Sequence, residues 1–211
     1  MKSPLAERER DRLVGAILPE VAFEGWSHGA LRIAARQIEM PAEEALALFP
    51  RGGIDLVGAF SRWADRRMLD AYEAAPRDGG ISARVKHAVE LRFAVVAPWR
   101  EAVRRALSVL ALPPYAPLGL KLVYETVDGI WYAVGDVATD FSFYTKRATL
   151  AGVYSAALMY WLEDRSEDFA DTRAFIDRRL ADVAMIGKAR ARLETGLTRL
   201  PNPFRLLRPV R

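Results

Sequence analysis

Cysteine is absent from this chain, and histidine occurs only twice, as His28 and His87. Without thiols there can be no disulfide scaffold, thiolate metal site or cysteine nucleophile. The two histidines lie in different predicted helices, which argues against a histidine-based metal cluster. Neither a nucleophile–base pair nor a glycine-rich phosphate loop is recognisable. We therefore expect a protein that is not an enzyme, with no catalytic residues and no metal site.

Long uncharged runs are also scarce. Residues 148–162, which no uncharged run exceeds in length, are too few to cross the ~30 Å hydrocarbon core of a bilayer. Residues 1–12 are charged rather than apolar as in a signal peptide. Apolar residues still make up 51% of the chain and charged residues 27%, which is typical of a folded globular protein. We expect it to be cytoplasmic.

Basic charge is concentrated at the carboxyl end. Residues 183–211 contain seven basic residues and one acid, whereas the whole chain has a net charge of only +4. Such an end suits an anionic partner, either a membrane or nucleic acid, although a merely solvated basic tail has the same composition.

Helical periodicity runs along the chain, and strand-type alternation is nowhere sustained. Ser27 is a candidate N-cap, and Pro19 is expected to kink the first helix. Two helices should flank Pro98, between Ser82 and about residue 112. The other helices are predicted at about 5–24, 28–38, 41–49, 54–75, 118–135 and 143–162, and from near 166 past 193. The fold class is therefore all-α.

The first three predicted helices resemble the helix-turn-helix lobe of tetracycline-repressor-type regulators. The resemblance is carried by residues 13–16, 25–26, 30–34, 40–46 and 49–52. It implies a three-helix lobe over 1–52, a larger helical ligand-binding lobe over 53–196 and a basic amphipathic tail over 197–211. One alternative function follows, that of a ligand-responsive transcriptional regulator.

The third helix argues against that alternative. A recognition helix needs basic and polar residues near phosphates and bases. This one carries Glu43 and Glu44 and no base, and DNA phosphates would repel both carboxylates. We expect no nucleic-acid partner.

Residues 127–147 contain the most specific motif. Its core is Trp131, Gly135-Asp136, residues 139–141, Tyr144-Thr145 and Arg147. This motif resembles the ninth coenzyme-Q biosynthesis protein family, of which the chain looks like a bacterial member. The resemblance implies a non-catalytic protein that binds isoprenoid quinone intermediates and presents them to a membrane-associated di-iron demethoxyubiquinone hydroxylase. No cofactor is expected beyond the bound isoprenoid lipid or quinone.

The same resemblance assigns Trp131, with Asp128 and Tyr132, to the surface that meets the hydroxylase. By position alone, Trp131 lies beside an apolar stripe, which favours a core residue over an interface residue. Asp136, Asp140 and Arg147 look like catalytic groups in isolation, but helix capping and ion pairing explain them better.

Residues 148–162 carry no charge on any face, so this helix is expected to be buried. Its small residues suit either close packing or an open lipid tunnel. The candidate lipid-binding residues are Val89, Phe93, Val123, Val127, Leu150, Val153, Tyr154, Leu158 and Trp161.

The tail mixes apolar and basic residues, as a membrane-surface segment does. Pro203 and Pro209 limit any helix there to less than two turns, whereas the family has a longer one. We expect the protein to be peripheral at the inner membrane, and a homodimer through its last helices. The candidate membrane residues are Arg199, Leu200, Phe204, Arg205, Leu207 and Arg208.

Overall fold

The computed structural model describes residues 4–76, 78–136 and 141–198, and every regular element in these ranges is a helix. The all-α prediction is confirmed. Single 3₁₀ turns lie at Ala97–Trp99, Pro113–Tyr115 and Glu167–Phe169. The α-helices are α1 (Pro4–Glu24), α2 (His28–Gln37), α3 (Ala42–Leu48), α4 (Gly53–Ala74), α5 (Ile81–Val96), α6 (Arg100–Leu110), α7 (Ala116–Ala133), α8 (Phe141–Glu163) and α9 (Ala170–Thr198).

Helices α1 to α3 form the N-terminal lobe. Ser27 caps α2 as predicted, because its hydroxyl accepts a hydrogen bond from the Ala30 amide at 3.1 Å. Helix α1 continues through Pro19. Pro19 and Gly15, the residue whose carbonyl loses its helical partner, are both exposed. Water can therefore satisfy that carbonyl, so the proline does not end the helix.

The N-terminal lobe is joined closely to the rest of the chain. Gly52 has a φ of +61°, a conformation that favours glycine, and a Cβ at Gly53 would collide with the carbonyl oxygen of Trp26. The Trp26 indole donates to the Ala102 carbonyl at 3.1 Å, and Arg105 donates to the Ala22 carbonyl at 2.8 Å. Both bonds tie the lobe to α6.

The larger lobe is built around α4. This helix packs on α5 and α7, α7 packs on α8, and α8 packs on α9. An aromatic stack fills the centre, where Phe93 lies 5.6 Å from Tyr154 and 5.6 Å from Trp161, measured between ring centroids. Trp161 is fully buried.

Asp164 organises the turn between α8 and α9. Its carboxylate accepts from the amide and hydroxyl of Ser166 at 2.8 and 2.6 Å, and from those of Thr172 at 2.8 and 2.5 Å. The sequence predicts that α9 begins near residue 166. That was wrong: α9 begins at Ala170, after a 3₁₀ turn that contains Asp168.

The prediction that residues 148–162 are buried on every side was wrong for the single chain. Leu150, Tyr154 and Trp161 are buried, whereas Ala148, Gly152 and Ala156 are exposed. Within the part of the chain that the structure describes, packing partners lie on one side of α8 only. An uncharged face of small residues therefore lies open on the other side.

No single helix among the described residues is long and apolar enough to cross a membrane. The segments Ile81–Leu110 and Pro113–Ala133 together have suitable length and composition, but they meet at a 99° bend.

Candidate functional site

A cavity of about 540 Å³ lies between α4, α5, α6, α7 and α8. Its walls are mainly apolar, which suits a hydrocarbon ligand. The exposed residues of its lining, Arg104, Ser108, Ala111 and Met159, mark the mouth on α6 and α8. The main apolar residues of the wall are Val57, Phe60, Val96, Val103, Leu107, Leu122, Val123, Leu158 and Leu162.

The predicted lipid-binding residues divide into three groups. Val123, Tyr154 and Leu158 line this cavity. Leu150 and Val153 line a second groove, described below. The remaining four are part of the core and do not line the cavity, although Phe93 supports the Tyr154 ring from behind: Val89, Phe93, Val127 and Trp161.

Sequence reasoning missed the contribution of α4 and α6 to the wall. Val103 and Leu107 follow helical spacing on α6, and Val57 and Phe60 do so on α4. Such a pattern identifies the buried face of a helix. It carries no signal of whether that face meets another side chain or an open volume.

A polar cluster lies at the buried end of the cavity. Arg92 is buried and donates through Nε to Oδ1 of Asp65 at 2.8 Å, and the Thr126 hydroxyl donates to the same oxygen at 2.9 Å. Arg92, Thr126 and Tyr154 all line the cavity. A charged pair at this depth is stable only because each charge faces its partner.

The electrostatics of this cluster keep its donors protonated. Burial would lower the pKa of the Arg92 guanidinium, but interactions with Tyr154 and Asp65 raise that pKa above its ordinary value. Burial raises the pKa of the Tyr154 phenol, and this outweighs the opposite effect of Arg92. Both side chains therefore remain hydrogen-bond donors at neutral pH.

The three residues assigned to partner binding lie at the end of α7 in different environments. Tyr132 is 81% exposed, whereas Trp131 is only 9% exposed. Asp128 is partly exposed and accepts from Nε of Arg147 at 2.6 Å. Tyr132 is thus the most accessible aromatic group of the three.

Ion pairs fix the end of α7 against the start of α8. Arg147 reaches Asp128, and it also reaches Asp136 at 3.3 Å, while Lys146 pairs with Asp136 at 2.8 Å. The prediction of ion pairing for Asp136 and Arg147 is confirmed. Asp140 lies outside the described residues.

A second groove of about 470 Å³ lies between α5, α7, α8 and α9. Leu150, Val153 and Trp131 line it, and Lys146 lies 5.5 Å from the centre of the Trp131 ring. The Trp131 indole nitrogen is buried without a hydrogen-bond partner among the described residues. The predicted membrane residues, 199–208, lie outside that part of the chain.

The segment that forms α7, α8 and the first part of α9 matches a family model. Residues 116–187 match the family described as COQ9. The chain carries a COQ9 domain. This confirms the resemblance to the ninth coenzyme-Q biosynthesis protein family. The COQ9 domain supplies three predicted wall residues of the cavity and all three predicted partner residues.

The chain is similar to curated COQ9 proteins over most of its length. It is 33% identical over 189 residues to "Ubiquinone biosynthesis protein COQ9, mitochondrial" of Xenopus tropicalis, covering 86% of this chain and 59% of that protein. Identity to the Homo sapiens protein of the same name is 31%, with the same coverage of both chains. The chain thus spans about six tenths of the length of these relatives.

Solved structures confirm the tetracycline-repressor-like fold. A TetR transcriptional regulator from Nitrosomonas europaea has a TM-score of 0.67 at 24% identity, covering 84% of this chain and 99% of that one. A tetR-family regulator from Streptomyces coelicolor has a TM-score of 0.54 at 18% identity, covering 98% and 96%. At these identities the likeness concerns the fold alone.

Proposed function

We propose that this protein is a non-catalytic accessory protein of ubiquinone biosynthesis, which binds isoprenoid quinone intermediates and presents them to a di-iron demethoxyubiquinone hydroxylase. The observation that carries the proposal is the apolar cavity walled in part by the COQ9 domain. Its volume of about 540 Å³ is in the range of small-ligand sites. Transfer of a hydrocarbon chain from water into such a space lowers the free energy.

The first test is direct extraction of bound lipid. Protein purified without detergent is expected to release an isoprenoid quinone or its precursor into organic solvent, detected by mass spectrometry. Val123→Trp should reduce the extracted lipid about tenfold, because the larger ring occupies the cavity and overpacking costs binding energy.

Leu120→Trp is the matched control. Leu120 lies on the same helix but is 75% exposed, so this variant should retain the lipid. If wild-type extracts contained no isoprenoid compound, the lipid-binding role would be wrong.

Contact with the hydroxylase is proposed for the surface formed by Asp128, Trp131 and Tyr132. An exposed aromatic residue beside fixed ion pairs has the character of an interface anchor. Tyr132→Ala is expected to weaken capture of the purified hydroxylase by about thirtyfold, which corresponds to about 2 kcal/mol at an anchor position. The measurement is surface plasmon resonance with immobilised hydroxylase.

Tyr124→Ala is the control for this test. Tyr124 lies two turns earlier on α7 and is 47% exposed. Equal affinity of both variants and the wild type would remove Tyr132 from the interface. Trp131 is a poorer probe, because its burial makes any substitution there a change to the fold as well.

A homodimer is proposed on the open face of α8. Ala148, Gly152 and Ala156 are exposed there and allow another backbone to approach closely. A second copy of the same helix, related by a twofold axis, matches such a face. Sedimentation equilibrium measures the assembly state.

Membrane contact is proposed for the basic, apolar tail, so that the protein acts peripherally at the inner membrane from the cytoplasm. Its composition supports this: arginines suit lipid phosphates and the apolar side chains suit the acyl boundary. A role as a transcriptional regulator is disfavoured, because Glu43 and Glu44 are exposed on α3, where DNA phosphates would lie.

A further inference from the structure

Two hydrogen-bond donors at the buried end of the cavity have no partner in the part of the chain that the structure describes. Arg92 donates from Nε to Asp65 and from Nη2 to the Ser61 carbonyl at 3.4 Å. Its Nη1 and the Tyr154 hydroxyl make no hydrogen bond within residues 4–76, 78–136 and 141–198. Neither atom is sealed off in the core, since both side chains line the cavity.

The charge of this cluster selects the kind of ligand. Asp65 already neutralises the charge of Arg92, and the Thr126 hydroxyl donates its hydrogen bond to Asp65. A ligand in the cavity therefore meets hydrogen-bond donors from Arg92 and Tyr154 in a region of little net charge. Such a site suits neutral acceptor oxygens, such as ring carbonyl or methoxy groups. A free anion would gain less here, because the guanidinium already has its counter-charge.

The rest of the cavity is apolar and leads from this cluster to the mouth. Val96, Phe60 and Leu122 lie at the buried end, and Ser108, Ala111 and Met159 lie at the exposed end. A volume of about 540 Å³ holds a ring and the first part of a chain, but not a long polyprenyl chain. The remainder of such a chain has to leave through the mouth.

We infer that Arg92 and Tyr154 bind the oxygen-bearing head of a neutral prenylated ring, so that the head points inward and the chain points to the mouth. This inference rests on the proposed lipid-binding function and adds the ligand's orientation and the residues that recognise its head. The head group is then shielded from water until the ligand leaves the cavity.

The test compares two probes that differ only in the head. One is decylubiquinone, with carbonyl and methoxy oxygens, and the other is decylbenzene, with none. Binding is measured by displacement of an apolar fluorophore from the full chain. Tyr154→Phe keeps the ring stacked on Phe93 and removes only the hydroxyl. It should weaken decylubiquinone binding about fivefold and leave decylbenzene binding unchanged.

A second variant removes the charged pair without leaving one charge alone. Asp65→Leu combined with Arg92→Met should weaken decylubiquinone binding about tenfold or more, with decylbenzene again unchanged. Tyr72→Phe is the control, because Tyr72 is also buried but lies outside the cavity. If the double variant does not fold, Tyr154→Phe alone decides.

The outcomes separate the inference from the function on which it rests. Wild-type protein that binds both probes, with no head-selective loss in Tyr154→Phe, would overturn the inward orientation and leave the lipid cavity in place. Wild-type protein that binds neither probe would overturn the lipid-binding function and the inference together. A loss for decylubiquinone alone supports both.

Discussion

Asp65→Ala is expected to destabilise the protein by about 3–5 kcal/mol, because it leaves the Arg92 charge buried without its partner. The Arg92 side chain is only 6% exposed, and Asp65 is the carboxylate that it contacts, at 2.8 Å. The Thr126 hydroxyl loses its acceptor in the same substitution. For a chain of this size the melting temperature should fall by about 10 °C or more.

Asp70→Ala is the matched control for this experiment. Asp70 lies on the same helix but is exposed, so its loss should change stability by less than about 0.5 kcal/mol. The double variant Asp65→Leu with Arg92→Met should recover most of the lost stability, because an apolar pair of similar volume needs no counter-charge. If Asp65→Ala melted at the wild-type temperature, water would have to reach Arg92 freely.

Asp164→Asn is expected to lower stability at neutral pH by about 2 kcal/mol. Burial alone would raise the pKa of Asp164, but the hydrogen bonds from Ser166 and Thr172 outweigh it and lower that pKa from 3.8 to about 2. A tenfold change in an acid dissociation constant corresponds to about 1.4 kcal/mol. The neutral amide also presents an NH₂ group to donors that need an acceptor.

The pH dependence of stability follows from the lowered pKa of Asp164. The carboxylate is favoured in the folded state, so its contribution is complete above the unfolded pKa of 3.8 and is lost as the pH falls through about 2. Chemical denaturation between pH 2 and pH 5 should show a shallower loss of stability for Asp164→Asn than for the wild type. Glu167→Gln, an exposed substitution in the same turn, should follow the wild type. Parallel pH profiles for all three proteins would refute the assignment.

Most of the helices could be predicted from the sequence because their limits are local. Ser27 caps α2 by contacting an amide three residues away, and Pro98 and Pro113 interrupt helices through their own ring geometry. The start of α9 was misplaced because a 3₁₀ turn intervenes. The acceptor that organises this turn, Asp164, precedes it.

The candidate site was harder to predict because it depends on contacts between distant residues. Arg92 stands beside the apolar stripe of α5, and its partner Asp65 is 27 positions earlier in the chain. Nothing local identifies that pairing. The exposed face of α8 was equally hard to predict. An uncharged helix is expected to be buried, but its sequence does not identify the surface that covers it. The family motif draws attention to Trp131, but only the packing of α7, α8 and α9 reveals that this residue lines a groove.

The contact between Trp26 and α6 has a consequence for how the chain is divided. The Trp26 ring lies 5.1 Å from that of Phe60, which lines the cavity, while its indole holds the Ala102 carbonyl. The three-helix lobe thus braces two of the helices that enclose the cavity. In a DNA-binding regulator, such contacts would couple ligand binding in the cavity to DNA binding by the three-helix lobe. Removal of the three-helix lobe would leave Phe60 and the Ala102 carbonyl of α6 without these contacts, so the helices that enclose the cavity depend on the lobe for their positions.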